Sequence, residues 1–119
     1  MKTILIVDDD RSALDVIMRA LQGYRLYVAR DADEGLRMAQ DLVSLDLLVT
    51  DYLMPSMTGD ELIGLVREKR PSLKALIVTG HSDVLDAENL DWWKAEAHVA
   101  KPFSLDDLRQ TVAALIGPP

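Results

Sequence analysis

Five short apolar runs recur along the chain, and each has the length of one buried strand. They cover residues 4–7, 26–29, 47–49, 75–78 and, with a weaker pattern, 98–100. The first run is apolar at every position, which is typical of a parallel strand that is covered by helices on both faces. The runs therefore predict five strands of one central parallel sheet.

Between these runs, hydrophobic residues recur at intervals of three and four, the spacing of one face of an α-helix. The repeats are Leu14, Ile17, Met18 and Leu21, then Leu62, Leu65 and Val66, and finally Leu105, Leu108, Val112 and Leu115. Possible capping boxes mark three helix starts, at Asp31 with Glu34, Thr58 with Glu61, and Ser104 with Asp107. The helical patterns at 32–40 and after His81 are the weakest. The alternation predicts an α/β domain of five strands and five helices.

Length and composition limit what this domain can be. With 119 residues the chain fits one domain, predicted at 1–117 with 118–119 as a tail, and a monomer or weak dimer is expected. The absence of Cys excludes disulfides and thiolate chemistry, and no apolar run is long enough to span a membrane, so a cytoplasmic protein is expected. A net charge of -7 without a stripe of Lys and Arg argues against nucleic acid as a direct partner.

Polar residues stand at the ends of four predicted strands. Asp8 and Asp9 end the first, Asp51 the third, Thr79 the fourth and Lys101 the fifth. Because the carboxyl ends of parallel strands meet at one edge of the sheet, we expect these five side chains to converge. Three clustered carboxylates repel one another unless a cation lies among them, and oxygen ligands without His or Cys favour Mg²⁺.

The Asp51 carboxylate in such a site is suited to attack a phosphoryl group. Mg²⁺ and Lys101 would neutralise the transferring oxygens, and Thr79 would hydrogen-bond one of them. Asp8 and Asp9 could instead belong to a solvated loop, but the agreement of three other strand ends favours the metal site. The pattern therefore predicts a site that forms an aspartyl phosphate.

The residues at these strand ends resemble those of response regulator receiver domains of two-component signalling. The resemblance covers essentially the whole chain and rests on Asp8-Asp9, Asp51-Tyr52-Leu53-Met54-Pro55 with Gly59, Thr79-Gly80, and Lys101-Pro102-Phe103. It implies a flavodoxin-like (βα)5 fold, a doubly wound parallel sheet of order 2-1-3-4-5 with helices on both faces. It also implies that Asp51 accepts a phosphoryl group from a histidine kinase or a phosphotransfer protein, and that the domain is a signalling switch rather than an enzyme.

The resemblance also implies a ligand set for Mg²⁺. Asp9, Asp51 and the backbone carbonyl of Leu53 would hold the ion, and Asp8 would act mainly through a bound water. These roles are expectations carried over from the family, position by position. The cofactor expected for this chain is therefore Mg²⁺.

A third implication concerns how phosphorylation would be detected by other proteins. Thr79 and Lys101 would contact the phosphoryl group, and a cis Lys101–Pro102 peptide bond would direct the amine into the pocket. Such domains couple the Thr of the fourth strand to an aromatic ring three positions before the Lys, which pairs Thr79 with His98 here. The ring would turn inward after phosphorylation, and the readout would use the face of the fourth helix, fifth strand and fifth helix.

Several residues depart from the family pattern. His98 replaces the more usual Tyr or Phe, and Lys94 stands where a Gly is common, which predicts an irregular end of the fourth helix. Leu53 cannot activate a water as a carboxylate or amide could, so autodephosphorylation should be slow. Because Trp92 and Trp93 are adjacent, one of them is expected at the surface, where packing and partner contact are equally good explanations.

Three other functions fit part of the pattern. A Mg²⁺-dependent phosphohydrolase generally has a second acid two residues after its nucleophile, where this chain has Leu53. A flavin-binding electron carrier of the same fold would need a phosphate loop rich in hydroxyls and glycine after the first strand, where this chain has acids. An interaction module that is never phosphorylated would not need the complete polar set. A stand-alone receiver and the receiver of a hybrid histidine kinase both remain open.

Overall fold

A computed structural model describes every residue from Met1 to Pro119. Its strands are β1 (Thr3–Val7), β2 (Arg25–Ala29), β3 (Leu47–Thr50), β4 (Lys74–Thr79) and β5 (Ala97–Ala100). Its helices are α1 (Arg11–Ala20), α2 (Ala32–Asp41), α3 (Gly59–Arg67), α4 (Ser82–Glu88), α5 (Asp91–Ala95) and α6 (Leu105–Ile116). All five predicted strands are confirmed, each within one residue at either end. None of the helices combines the length and apolar character that crossing a membrane requires.

The five strands form one parallel sheet in the order β2-β1-β3-β4-β5, which confirms the flavodoxin-like fold. Its two faces bury separate hydrophobic clusters. Leu5 and Val7 of β1 face the cluster that includes residues of α2 and α3, whereas Ile4 and Ile6 face the cluster that includes residues of α1 and α6. The alternation of side chains along a strand therefore explains why β1 is apolar at every position.

The prediction of five helices was wrong in the segment between β4 and β5. That segment holds two short helices, because Asn89 adopts a left-handed backbone conformation with φ of 54° and ends α4. Asn reaches this conformation more readily than most residues, so it serves as a helix C-terminus. Lys94 lies inside α5 in ordinary helical conformation, so the irregularity expected at Lys94 occurs at Asn89 instead. The predicted fifth helix is consequently α6.

Side chains stabilise the starts of the helices near the predicted caps. Asp10 accepts the N–H two residues ahead at 2.9 Å and begins α1 directly after the acidic pair. At the start of α3, the Thr58 N–H and hydroxyl both donate to Glu61 Oε1, at 3.1 and 2.7 Å. Asp31 and Ser104 each accept the N–H three residues ahead, without the reciprocal bond of a complete capping box.

Candidate functional site

The parallel register brings the carboxyl ends of the strands to one edge of the sheet. Val7 of β1 lies beside Thr50 of β3, and Thr79 of β4 lies beside Ala100 of β5. The backbone ladder continues one residue further. The Asp51 N–H donates to the Val7 carbonyl at 3.0 Å, and the residue after β5 donates its N–H to the Thr79 carbonyl at 2.9 Å. The two chain segments that carry Asp51 and Lys101 are therefore fixed by the sheet.

Asp8, Asp9 and Asp51 form an acidic cluster at this edge. One carboxylate oxygen of each lies within 4.8 Å of the others. Their exposure differs, since Asp8 is 1% exposed, Asp51 is half-buried and Asp9 is exposed. Asp8 Oδ1 also accepts the Asp10 N–H at 2.9 Å. The structure therefore brings the three predicted acids together, with Asp8 buried and Asp9 exposed.

Lys101 places its ammonium group against two of these acids. Its Nζ lies 2.9 Å from Asp8 Oδ2 and 3.4 Å from Asp51 Oδ2, and its side chain is 23% exposed. The Lys101–Pro102 peptide bond is cis. The predicted convergence of the lysine with the acids is thus present in the structure.

Burial and neighbouring charge shift the pKa values of Asp8 and Lys101. Burial raises the pKa of the Asp8 carboxyl above its usual value, and the hydrogen bonds from Lys101 and from the Asp10 N–H only partly oppose this rise. Burial alone would lower the pKa of Lys101, but the carboxylates of Asp8 and Asp51 outweigh that effect and raise it. Lys101 therefore remains a cation. Its charge does not fully offset the effect of burial on the Asp8 carboxylate.

This donor set fits a hard divalent cation. All three acids offer oxygen ligands within a small volume, with neither His nor Cys in the cluster, which is the chemistry that Mg²⁺ prefers. The raised pKa of Asp8 supports the same fit, because an added cation would offset the cost of its buried charge. Leu53, whose carbonyl is an expected ligand, lies in the loop between β3 and α3, and 54% of the residue is exposed.

The loop between β3 and α3 holds the Asp51 side chain in place. The Tyr52 N–H donates to Asp51 Oδ1 at 2.7 Å, which leaves Oδ2 facing the lysine. Gly59 begins α3 directly against this loop. A Cβ atom at Gly59 would lie 2.3 Å from the Asp51 carbonyl oxygen, so only glycine fits without displacing the backbone. This requirement gives the glycine in the sequence motif a physical reason.

Thr79 lies at the same edge but its hydroxyl is bonded elsewhere. The residue is fully buried, and its Oγ1 accepts the His81 N–H at 3.1 Å. No hydrogen bond joins the Thr79 hydroxyl to the carboxylates or to the Lys101 ammonium in this structure. Its hydroxyl proton is consequently still available to donate.

His98 points outward and rests on a tryptophan. Its ring is exposed and stacks on the Trp93 indole, with ring centroids 3.7 Å apart and an interplanar angle of 16°. Trp93 is 2% exposed and donates Nε1–H to Asp86 Oδ1 at 2.7 Å. Trp92 is half-buried and stacks on Tyr52 instead. Packing therefore explains both tryptophans, and sequence reasoning missed the stack with His98 because α5 could not be placed.

Comparison with known proteins adds family relationships. The family model for the response regulator receiver domain matches residues 4–113. The chain is 32% identical over 117 residues to the sensor kinase CckA of Brucella abortus, covering 96% of this chain and 12% of that protein. It is 35% identical over 117 residues to the response regulator MprA of Mycobacterium ulcerans, covering 95% of this chain and 49% of that protein. The chain thus spans less than half the length of these two relatives.

Solved structures of similar length share the fold. The response regulator TrrA of Thermotoga maritima, in complex with Mg²⁺ and BeF, is 32% identical with a TM-score of 0.84, and the match covers 97% of this chain and 99% of that chain. The chemotaxis protein CheY4 of Vibrio cholerae is 28% identical with a TM-score of 0.85, and the match covers 97% and 98%. Both similarities extend over nearly the whole chain.

Proposed function

This chain belongs to the response regulator receiver domain family of two-component signalling, and we propose that it is a phosphorylation-activated switch with Asp51 as the acceptor. The observation that carries the proposal is the position of Asp51 Oδ2, 3.4 Å from Lys101 Nζ within a cluster of three carboxylates. Receiver domains are generally signalling switches rather than enzymes. We assign this chain only self-catalysed transfer and slow autodephosphorylation, with residues 1–117 as the functional unit.

In the proposed transfer, an Asp51 carboxylate oxygen attacks the phosphorus of a phosphohistidine. The new O–P bond replaces the donor's N–P bond, and the imidazole nitrogen keeps the bonding electrons and takes up a proton. The Tyr52 N–H orients the carboxylate by holding Oδ1. Lys101, already next to Asp51, is positioned to neutralise charge on the phosphoryl oxygens. A histidine kinase or a histidine phosphotransfer protein is the proposed donor.

Mg²⁺ is the proposed cofactor of this transfer. Asp9, Asp51 and the Leu53 carbonyl would bind it, with Asp8 acting through water. When bound, the ion supplies positive charge for the transferring phosphoryl oxygens. The solved receiver that contains Mg²⁺ and BeF, at 32% identity, supports this assignment by similarity.

The proposed response begins at Thr79. Its hydroxyl would turn from its present place near the His81 N–H and donate to a phosphoryl oxygen. A hydrogen bond to a charged group is worth about 1.5–3 kcal/mol, which is enough to shift a conformational equilibrium at least about tenfold. The output would be a protein contact at the face of α4, β5 and α6. The net charge of -7 favours a protein partner over nucleic acid.

Intact-mass measurement tests the acceptor. Wild-type protein treated with acetyl phosphate and Mg²⁺ should gain one phosphoryl group, and the Asp51→Asn variant should gain none. Omission of Mg²⁺ should greatly slow the gain. Phosphorylation of the variant to the same extent would show that another residue is the acceptor. Rapid release of free phosphate by the wild type would instead favour a phosphohydrolase.

A further inference from the structure

Four rings form a continuous series of contacts between the acceptor loop and β5. Tyr52 stacks on Trp92 with centroids 5.7 Å apart and an angle of 18°. Trp92 meets Trp93 edge to face at 6.0 Å and 78°, and Trp93 stacks on His98 at 3.7 Å and 16°. The first two pairs lie within the range of centroid distances that aromatic pairs favour, and the Trp93–His98 pair is in closer contact. We call these four residues the aromatic chain.

The two ends of the aromatic chain have different surroundings. Tyr52 directly follows Asp51, and its N–H donates to the Asp51 carboxylate at 2.7 Å. His98 is exposed on β5, which is an edge strand of the sheet. A change in the charge or geometry of Asp51 therefore acts directly on the backbone N–H of Tyr52. The Tyr52 ring is the first member of the aromatic chain, and the exposed His98 ring is the last.

Trp93 is the most restrained member of the aromatic chain. It is buried, and its indole N–H is bonded to Asp86 of α4. The backbone after it is also fixed, because both oxygens of Glu96 accept hydrogen bonds from the Arg67 guanidinium of α3, at 2.5 and 3.2 Å. With the indole stacked at 3.7 Å on the His98 ring, an inward turn of that ring would require Trp93 to move first.

We propose that Trp93 is a positioning residue that holds His98 at the surface, and that Trp92 and Trp93 carry the effect of Asp51 phosphorylation to β5. This inference rests on the proposed acceptor role of Asp51. A phosphorylated Asp51 changes its hydrogen bond with the Tyr52 N–H, and the Tyr52 ring shifts against Trp92. Rigid stacked rings transmit such a shift because their packed arrangement has little free space. His98 moves together with Trp93 and does not turn inward past it.

Nuclear magnetic resonance can follow each step separately. The chain contains two tryptophans, so its spectrum has two indole N–H signals, which the Trp92→Phe and Trp93→Phe variants assign. Beryllofluoride with Mg²⁺ serves as the phosphoryl mimic, and fluorine signals of the bound adduct report its formation independently of the rings. In wild type we expect adduct formation together with shifts of both indole signals. The His98 ring protons should keep the ring-current shift that stacking on Trp93 produces.

A matched pair of variants tests the route. Trp92→Leu removes the ring, and the adduct-induced shift of the Trp93 signal should fall at least about twofold. Trp92→Phe keeps a ring and should retain most of that shift. Both variants should still form the adduct, since residue 92 is neither a member of the acidic cluster nor its lysine neighbour. If Trp92→Leu is not folded by circular dichroism, Tyr52→Leu breaks the aromatic chain one contact earlier and must give the same loss.

The outcomes separate this inference from the proposed function. A shift of the Trp93 indole signal as large as in wild type, in the folded Trp92→Leu variant, would overturn the proposed transmission through the aromatic chain. An adduct in wild type without any shift of the Trp93 signal would overturn it as well. Loss of the ring-current shift at His98 in the adduct would show that the ring leaves Trp93. Failure of wild type to form the adduct would overturn the acceptor assignment and this inference with it. The remote variant Tyr27→Leu, on β2, should behave as wild type throughout.

Discussion

Replacing Lys101 with Met should destabilise the protein through charge rather than through packing. Met keeps an unbranched apolar stem of similar length but removes the ammonium group. The buried Asp8 carboxylate then loses its partner at 2.9 Å, and Asp51 loses its neighbour at 3.4 Å. The acidic cluster remains within 4.8 Å with no cation from the chain. The effect on the free energy of unfolding can be worked out from these distances.

The attraction between two unit charges 2.9 Å apart is about 6 kcal/mol at an effective dielectric constant of about 20. Desolvation of both groups offsets much of it, and removing one partner of a fully buried pair typically costs about 3–5 kcal/mol. Because the Lys101 side chain is 23% exposed, water compensates further, and we expect a loss of about 2 kcal/mol at pH 7 without Mg²⁺. That corresponds to a fall in Tm of about 5–10 °C for a domain of this size.

The loss of stability in Lys101→Met should become smaller as the pH falls. Burial already raises the pKa of Asp8 in the folded protein, and Lys101 supplies two of the contributions that lower it. The variant therefore has a still higher folded-state pKa for Asp8, above the value in the unfolded chain. A native state that binds more protons than the unfolded state loses stability as the pH rises. The difference in the free energy of unfolding between wild type and variant is consequently smallest below about pH 3.9, the pKa of Asp8 in the unfolded chain. The difference grows as the pH rises through the raised pKa of Asp8 in the folded protein.

Urea denaturation followed by circular dichroism, in EDTA, measures this difference at pH 7 and near pH 4. Lys2→Met is the matched control, because Lys2 is exposed and its side chain forms no ion pair, and it should be nearly neutral. A Lys101→Met loss that is the same at both pH values would show that packing of the stem dominates. A variant as stable as wild type at pH 7 would refute the electrostatic reasoning altogether.

Three further predictions concern the same site. Gly59→Ala should lower the free energy of unfolding by about 1–3 kcal/mol in urea denaturation, because the added Cβ meets the Asp51 carbonyl. Gly64→Ala on the same helix has open space around the added Cβ and should raise it by up to about 1 kcal/mol. Equal effects of the two substitutions would contradict the steric argument. Asp9→Asn should weaken Mg²⁺ binding at least about tenfold in calorimetric titration, and unchanged affinity would exclude Asp9 as a ligand. Leu53→Asn should shorten the lifetime of the phosphorylated protein, and a wild-type lifetime of only seconds would contradict the expected slow hydrolysis.

Most of the site could be predicted because its signals are local and its topology is regular. An apolar run followed at once by a polar residue fixes where a strand ends, and a parallel sheet collects such ends at one edge. Asp8, Asp51 and Lys101 meet for that reason. The hydroxyl of Thr79 was less predictable, because its present bond to the His81 N–H depends on the turn after β4. The sequence predicted that Thr79 lies at this edge of the sheet, but not that its hydroxyl accepts the His81 N–H.

The segment between β4 and β5 could not be predicted because long-range contacts determine it. Helices of seven and five residues are too short to be stable by themselves, so their boundaries depend on what they contact. Here α4 ends at the left-handed Asn89, and the bond between Asp86 and Trp93 holds the two helices together. Neither feature leaves a periodic pattern of hydrophobic residues. For the same reason, the positions of Trp92 and Trp93 could not be predicted from the spacing of hydrophobic residues.

His98 and the tryptophan pair are best understood together. A motif comparison assigns His98 a role from its distance to Lys101, but the direction of its ring depends on Trp93, five residues earlier. An imidazole is smaller than a phenol ring, and here it lies flat against a large indole that is itself buried and hydrogen-bonded. The stacked pair therefore acts as one packed unit. A substitution at His98 should consequently be judged by its effect on the Trp93 stack, not by whether it introduces a Tyr or Phe ring.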